Sequence, residues 1–296
     1  MRRFTAALLC TAALVPVLHR STMAQLDTAA VPPPAAAAPA ASSPAVLAAR
    51  EYTAAGIVGT AFALNVVDAY MNWWKGAAKP FSFSQDRWFN NEHLGIDKVG
   101  HFYGTYSLFK GVRTSLLYGG YRPSTALWWG IGLGLFNALE IEIGDGFSPY
   151  GFDYTDLICG VLGVGYGVLQ TEVPALEHIN FKVSYWSSTG FRSPANFVRD
   201  YDAMTVWLSI APHGLLPGEM GKAWPRWLAI GFGYGTGGQE RWREFLLAVD
   251  INLGGIGFGQ TDVDYAATML DLIHWPSPGV NVSPSRAPQY RVFLLR

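Results

Sequence analysis

The sequence predicts an α+β chain: a Gly-rich apolar bundle of about four helices, followed by an antiparallel sheet of about five strands. Three observations predict it. Of the 296 residues, 50 % are apolar, 14 % aromatic and only 15 % charged, a more apolar balance than that of an average soluble protein. Long apolar stretches punctuated by glycine run to about residue 178. After Glu177 the period changes to two, in aromatic and β-branched runs separated by Gly, Pro and Ser.

Residues 1–24 read as an export signal, with Arg2 and Arg3 as the basic start, an apolar stretch from Phe4 to Leu18, and Thr22-Met23-Ala24 before the cleavage point. Removing Arg2, Arg3 and Arg20 lowers Lys+Arg from 21 to 18 against 22 acids, so the exported chain carries about −4. Leu9 stands where a lipoprotein signal needs a small residue, which speaks against lipidation at Cys10. Cys159 is then the single cysteine, and no intramolecular disulfide is expected. Residues 25–49 are rich in Ala and Pro and read as a semi-extended tether.

The helical, membrane-associated unit is expected over 50–178. Its helices are read as Tyr52 to Trp74, Asp97 to Tyr118, Ser124 to Ile143 and Tyr154 to Gln170. Pro123-Ser124 suits a helix start. Recurrent glycines, among them Gly130, Gly134, Gly160, Gly163 and Gly167, let helix backbones approach closely. The region 179–296 is expected to be a sheet packed on these helices. Its strands are Phe181–Trp186, Thr205–Ile210, Trp227–Tyr234, Phe245–Leu253 and Tyr290–Leu295, with a short helix from Tyr265 to His274. Some runs alternate as outer-membrane strands do, but five strands cannot close a spanning barrel, which needs at least about eight.

Ionisable groups sit inside the apolar helices and cost several kcal/mol to bury unless paired. Asp97 and His101 lie at i and i+4, on one helix face, where the carboxylate can orient the imidazole. The candidate catalytic residues are Asp97, His101, Glu140 and Asp156, and the candidate ligand-binding residues are Lys98, Asp145 and Ser148. Glu140 ranks first, because Glu142 and Asp145 are explained by an exposed helix end and Asp153 by helix capping. The bland alternative is a network that locks the helices together. His93, Asp97 and His101 have the spacing of a metal face, but Gly95 interrupts it, so no metal is assigned and no cofactor is named. His178, His213 and His274 read as surface or packing residues. H-E-x-x-H, P-loop and G-x-S-x-G motifs do not occur.

The order Asp97-Lys98-Val99-Gly100-His101-Phe102, Tyr106, Glu140-Ile141, Asp145-Gly146-Phe147-Ser148, Gly151-Phe152, Asp156 and Gly163 resembles the YfiM-like family of predicted periplasmic lipoproteins, domain of unknown function 2279. The likeness covers about residues 80 to 172, with an echo at Asp200-Tyr201 and Gly233-Tyr234-Gly235. It is more distantly similar to VanZ-like membrane proteins. Gly160 departs from the pattern, since many relatives carry Asn there. The resemblance implies an envelope protein with a polar cluster between helices.

A net charge of −1 without a Lys/Arg-rich run excludes a nucleic-acid partner. The expected location is the cell envelope, exported, periplasm-facing and membrane-associated. Membrane lipid is the expected partner, with an envelope protein as a further one. The expected function is a structural or assembly role. The alternative is an enzyme acting on a lipid or lipid-linked envelope substrate through His101, Asp97 and Glu140.

Overall fold

The computed structural model describes residues 43–84, 87–187, 200–284 and 287–294. The expected export signal, Cys10 and most of the tether lie outside the described residues. The tether ends earlier than expected, because Ser43 and Pro44 supply an N-cap and a first-turn proline for a helix.

That helix, α1 (Pro44–Ala69), runs into a π-helical turn at Tyr70–Trp74. It is followed by α2 (Ile96–Tyr118), α3 (Pro123–Gly146) and α4 (Tyr154–Glu172). The central helix is α2, packed against α4, α3 and α1. Its contact with α4 is close because Gly163 has no side chain: a Cβ there would meet the Phe102 carbonyl oxygen at 2.1 Å. At Gly160 a Cβ would meet that of Ala138 at 2.8 Å, so packing against α3 accounts for glycine at this position. Val58, Phe62, Val66, Val112, Leu116, Ala126 and Leu133 form the core between α1, α2 and α3. Helices α1 and α3 are long and apolar enough to cross a membrane, and only 28 % and 39 % of their most apolar stretches are buried, so each leaves an apolar face bare.

The C-terminal region forms one antiparallel meander, β1 (Ile179–Tyr185), β2 (Met204–Ile210), β3 (Leu228–Gly237), β4 (Trp242–Ile251), β5 (Ser277–Val282) and β6 (Gln289–Leu294), each strand paired with the next. A one-and-a-half-turn helix, α5 (Gly218–Ala223), precedes β3, and α6 (Thr261–Leu270) lies between β4 and β5. Six strands replace the expected five. Ser277–Val282 carries Pro278 and Gly279 and so lacks a strand signature of its own. The short helix starts at Thr261, not Tyr265, with Asp262 and Asp264 in its first turn. The chain beyond it turns back to bridge β1, where Val183 N–H donates to Leu272 O and His274 N–H to Val183 O.

The sheet is inside out relative to a soluble one. Phe181, Leu208, Phe232, Leu247, Val280 and Tyr290 form one in-register row across all six strands. The row is covered at Phe181 by Phe102, Tyr106 and Tyr166 of α2 and α4, and left exposed at Phe232, Leu247 and Tyr290. The opposite face buries Lys182, Ser184, Trp207, Ser209 and Asp250.

Candidate functional site

The sharp start of α2 places the first functional groups. Gly95 takes φ +81, a left-handed conformation open to glycine, and its N–H donates to Asn91 Oδ1. Asn91 in turn donates to Asp97 Oδ2 at 2.8 Å, so the carboxylate is oriented rather than used as the helix cap. At the start of α4, Asp153 is the cap: its Oδ1 accepts Thr155 N–H and Oγ1–H, both at 2.7 Å. Its other oxygen faces α2, so capping explains only half of this residue.

Lys98 joins the two helix starts. Its ammonium is wholly buried and lies 3.0 Å from Asp97, 2.8 Å from Asp153 and 2.9 Å from Asp156. Burial alone would lower its pKa, but Asp156, Asp153 and Asp97 more than reverse that and hold it charged. The same ammonium keeps the Asp153 carboxyl below its ordinary range, against burial.

His101 is one turn beyond Asp97. Its Nδ1 lies 3.7 Å from Glu142 Oε1 and its Nε2 3.7 Å from Asp156 Oδ2. Glu142 is not at an exposed helix end; its side chain is 1 % exposed and its Oε2 accepts Asp153 N–H at 2.8 Å. Burial, with Asp156 beside it, pushes the Glu142 carboxyl up to about 9. Burial also raises Asp156, although His101 and Lys98 oppose it. Asp97 Oδ1 and Glu142 Oε1 are buried without a hydrogen-bond partner.

Of the residues expected from sequence, Asp97, Lys98, His101 and Asp156 come together. Glu140 does not join them. Two residues apart on a helix, Glu140 and Glu142 point roughly 200° apart. Glu140 shares its face with Phe136 and Gly144, which pack on Phe62 and Trp74. It is half-buried there, and burial raises its pKa to about 7. Asp145 accepts from Trp74 Nε1 at 2.9 Å and lines the cavity in front of the cluster. Ser148 is turned into its own loop, donating to Asp145 O and accepting from Tyr150 N–H. His93 lies before α2 and pairs with Glu240 of the β3–β4 hairpin, not with Asp97 and His101. Sequence reasoning ranked Glu142 below Glu140 and assigned no role to Tyr201, whose only signal was the Asp200-Tyr201 echo.

Two cavities meet at the cluster. One, of about 520 Å³, is polar and lined by His93, Asp97, His101, Asp145, Asp153 and Asp156. The other, of about 580 Å³, is mainly apolar and lies between α1, α2 and α6, among Ile57, Val58, Leu108, Val112, Met204 and Met269. Asp97, His101, Ile141 and Tyr201 line both.

Residues 84–172 match the family model described as predicted periplasmic lipoprotein (DUF2279). The match spans α2 to α4, hence the whole cluster, and stops before the sheet. No curated protein and no solved structure matches the chain. The family description agrees with the export signal expected from the sequence, and the protein is an exported, membrane-associated protein of the cell envelope.

A second set of charged groups lies inside the sheet. Lys182 donates to Ile251 O and pairs with Asp250 and Asp271, each at 2.8 Å. His274, expected at the surface or in packing, is fully buried, stacked 3.7 Å from the Trp207 ring, with Nδ1 2.9 Å from Asp250 Oδ1. Ser277, His274 and Asp250 follow the order of a hydrolytic triad. Ser277 Oγ donates instead to Val249 O, and with all three buried no substrate reaches it.

Proposed function

We propose that this envelope protein serves an assembly role by holding an amphiphilic molecule, a lipid or lipid-linked envelope component. Its polar end would lie at the Asp97/His101 cluster and its chain in the apolar cavity. The observation that carries this is the shared wall: Asp97, His101, Ile141 and Tyr201 border a polar and an apolar space at once. A ligand filling both would satisfy the polar groups and bury the apolar wall. The bare faces of α1, α3 and the sheet would keep the protein against the membrane that supplies such molecules. Lys98 and its three carboxylates would provide the rigid frame.

An enzyme acting on the same kind of molecule is the second reading, favoured by one observation. The His101 ring stands between Glu142 and Asp156, an arrangement that can orient an imidazole for proton transfer. Glu142 would then fill the role expected of Glu140.

The test is mass spectrometry of solvent extracts from the purified full chain. Gly104 lines the apolar cavity and a Cβ there meets nothing within 4 Å, so Gly104→Leu fills the space without a clash at the backbone. Wild type should carry a defined amphiphile that Gly104→Leu loses. Identical extracts would sink the binding role. Conversion of the bound molecule by wild type but not by His101→Asn would favour the enzyme.

A further inference from the structure

We propose that His101, Glu142 and Asp156 bind a divalent transition-metal ion at the inner end of the polar cavity. The inference deepens the proposed function and rests on its premise that this cluster is a ligand site.

The three residues come from three different helices, α2, α3 and α4, and one ligand atom from each lies within 4.8 Å of the others. Both His-to-carboxylate separations are 3.7 Å. That is too long for a hydrogen bond, which needs about 2.7–3.2 Å. One ring nitrogen binds one ion, so one of the two separations is the spacing of neighbouring ligands, which bonds of about 2.1 Å put roughly 3.0–3.4 Å apart. For that pair the remaining gap is a few tenths of an ångström, and the other carboxylate, within 4.8 Å of the same ligand atoms, turns in to reach the ion.

An independent observation points the same way. Glu142 is 1 % exposed, and its Oε1, the oxygen turned to His101, has no hydrogen-bond partner. A buried acceptor left unpaired costs on the order of 1–3 kcal/mol. Its other oxygen is fixed by Asp153 N–H, so the carboxylate is already aimed. Asp156 is steadied in the same way, with Oδ1 held by Lys98 and Oδ2 toward His101. Such outer contacts orient metal ligands.

Charge completes the case. Asp97, Asp153, Asp156 and Glu142 surround one ammonium, Lys98, so with all carboxyls ionised the cluster lacks three positive charges, and a divalent ion supplies two. One imidazole and two carboxylates suit zinc, manganese or ferrous iron, and three protein ligands leave a position open to the cavity. The polar end of the amphiphile would take that position.

The experiment uses the full chain in detergent, stripped with EDTA and titrated with Zn²⁺ alone and then Mn²⁺ alone, with bound metal counted by mass spectrometry. Wild type should retain about one ion per chain. His101→Asn and Glu142→Gln should each weaken binding about 100-fold or more, beyond the losses seen for outer-shell changes. His213→Asn, outside both cavities, should bind as wild type does. Should His101→Asn fail to fold, Glu142→Gln carries the test, because Gln keeps the acceptor for Asp153 N–H. Wild type taking up no more metal than Glu142→Gln would overturn the proposal. Metal is counted apart from extracted lipid, so a metal-loaded, lipid-free protein would remove the amphiphile and leave the ion.

Discussion

Two wholly buried lysines, Lys98 in the helical unit and Lys182 in the sheet, stand among carboxylates and beside a histidine, yet they end differently. Around Lys182 the charges nearly balance. Asp250 meets Lys182, His274 and Ser209, and Asp271 meets Lys182 and the Leu253 N–H, and no buried atom of this set is unpaired. Around Lys98 acids exceed cations and two carboxylate oxygens, one on Asp97 and one on Glu142, lack partners, in front of a cavity. A saturated buried network is complete as structure. An unsaturated one beside open space has something left to bind.

The largest expected effect breaks the saturated side. Lys182→Met strands two buried carboxylates and should cost about 3–5 kcal/mol in denaturant unfolding. Lys98→Met should cost less, about 2 kcal/mol, because the polar cavity lets water reach the released carboxylates. If Lys98→Met proves the costlier of the two, the helical cluster is a lock like its counterpart.

Acid separates the two regions next. Burial would raise the Asp250 carboxyl, but the bonds from His274, Lys182 and Ser209 pull it down to about 2, from an ordinary 3.8. A depressed acid stabilises the fold fully above its unfolded value. Its contribution, roughly 2 kcal/mol, is lost as pH falls from about 4 through 2. Asp271, raised by burial, acts in the opposite sense, so the comparison must isolate Asp250. Unfolding midpoints of Asp250→Asn and wild type should therefore converge between pH 4 and 2. Parallel curves would mean that Asp250 is not held by these bonds.

The same contrast explains what the sequence could disclose. The long helices and most strands were legible because local period and composition decide them: apolar Gly-rich runs on one side, aromatic alternation on the other. Asp97, Lys98, His101 and Asp156 were legible because they open helices that are otherwise apolar. Choosing between Glu140 and Glu142 needs the rotation of α3 about its own axis. That rotation is set by Phe136 on Phe62 and by Trp74 against Gly144, contacts distant in sequence. The Lys182 network stayed hidden because polar residues alternating along a strand are read as facing solvent, and here that face is the interior. Ser277–Val282 shows no alternation of its own and is a strand because β4 and β6 pair with it.

The smallest expected effect sharpens the comparison most. With the metal chelated at neutral pH, Glu142 is a neutral acid, since burial beside Asp156 has raised it to about 9. Gln has the same shape, is also neutral and keeps an oxygen for Asp153 N–H. Glu142→Gln should then change unfolding stability by less than about 1 kcal/mol in EDTA. Asp250→Asn, an equally conservative change in the saturated network, removes the charge that Lys182 and His274 require and should cost about 3 kcal/mol or more. The two measurements share one buffer and one readout. A cost at Glu142 equal to that at Asp250 would mean that the carboxylate is already committed to the fold. A negligible cost leaves it free for a ligand, and that freedom separates a site from a lock.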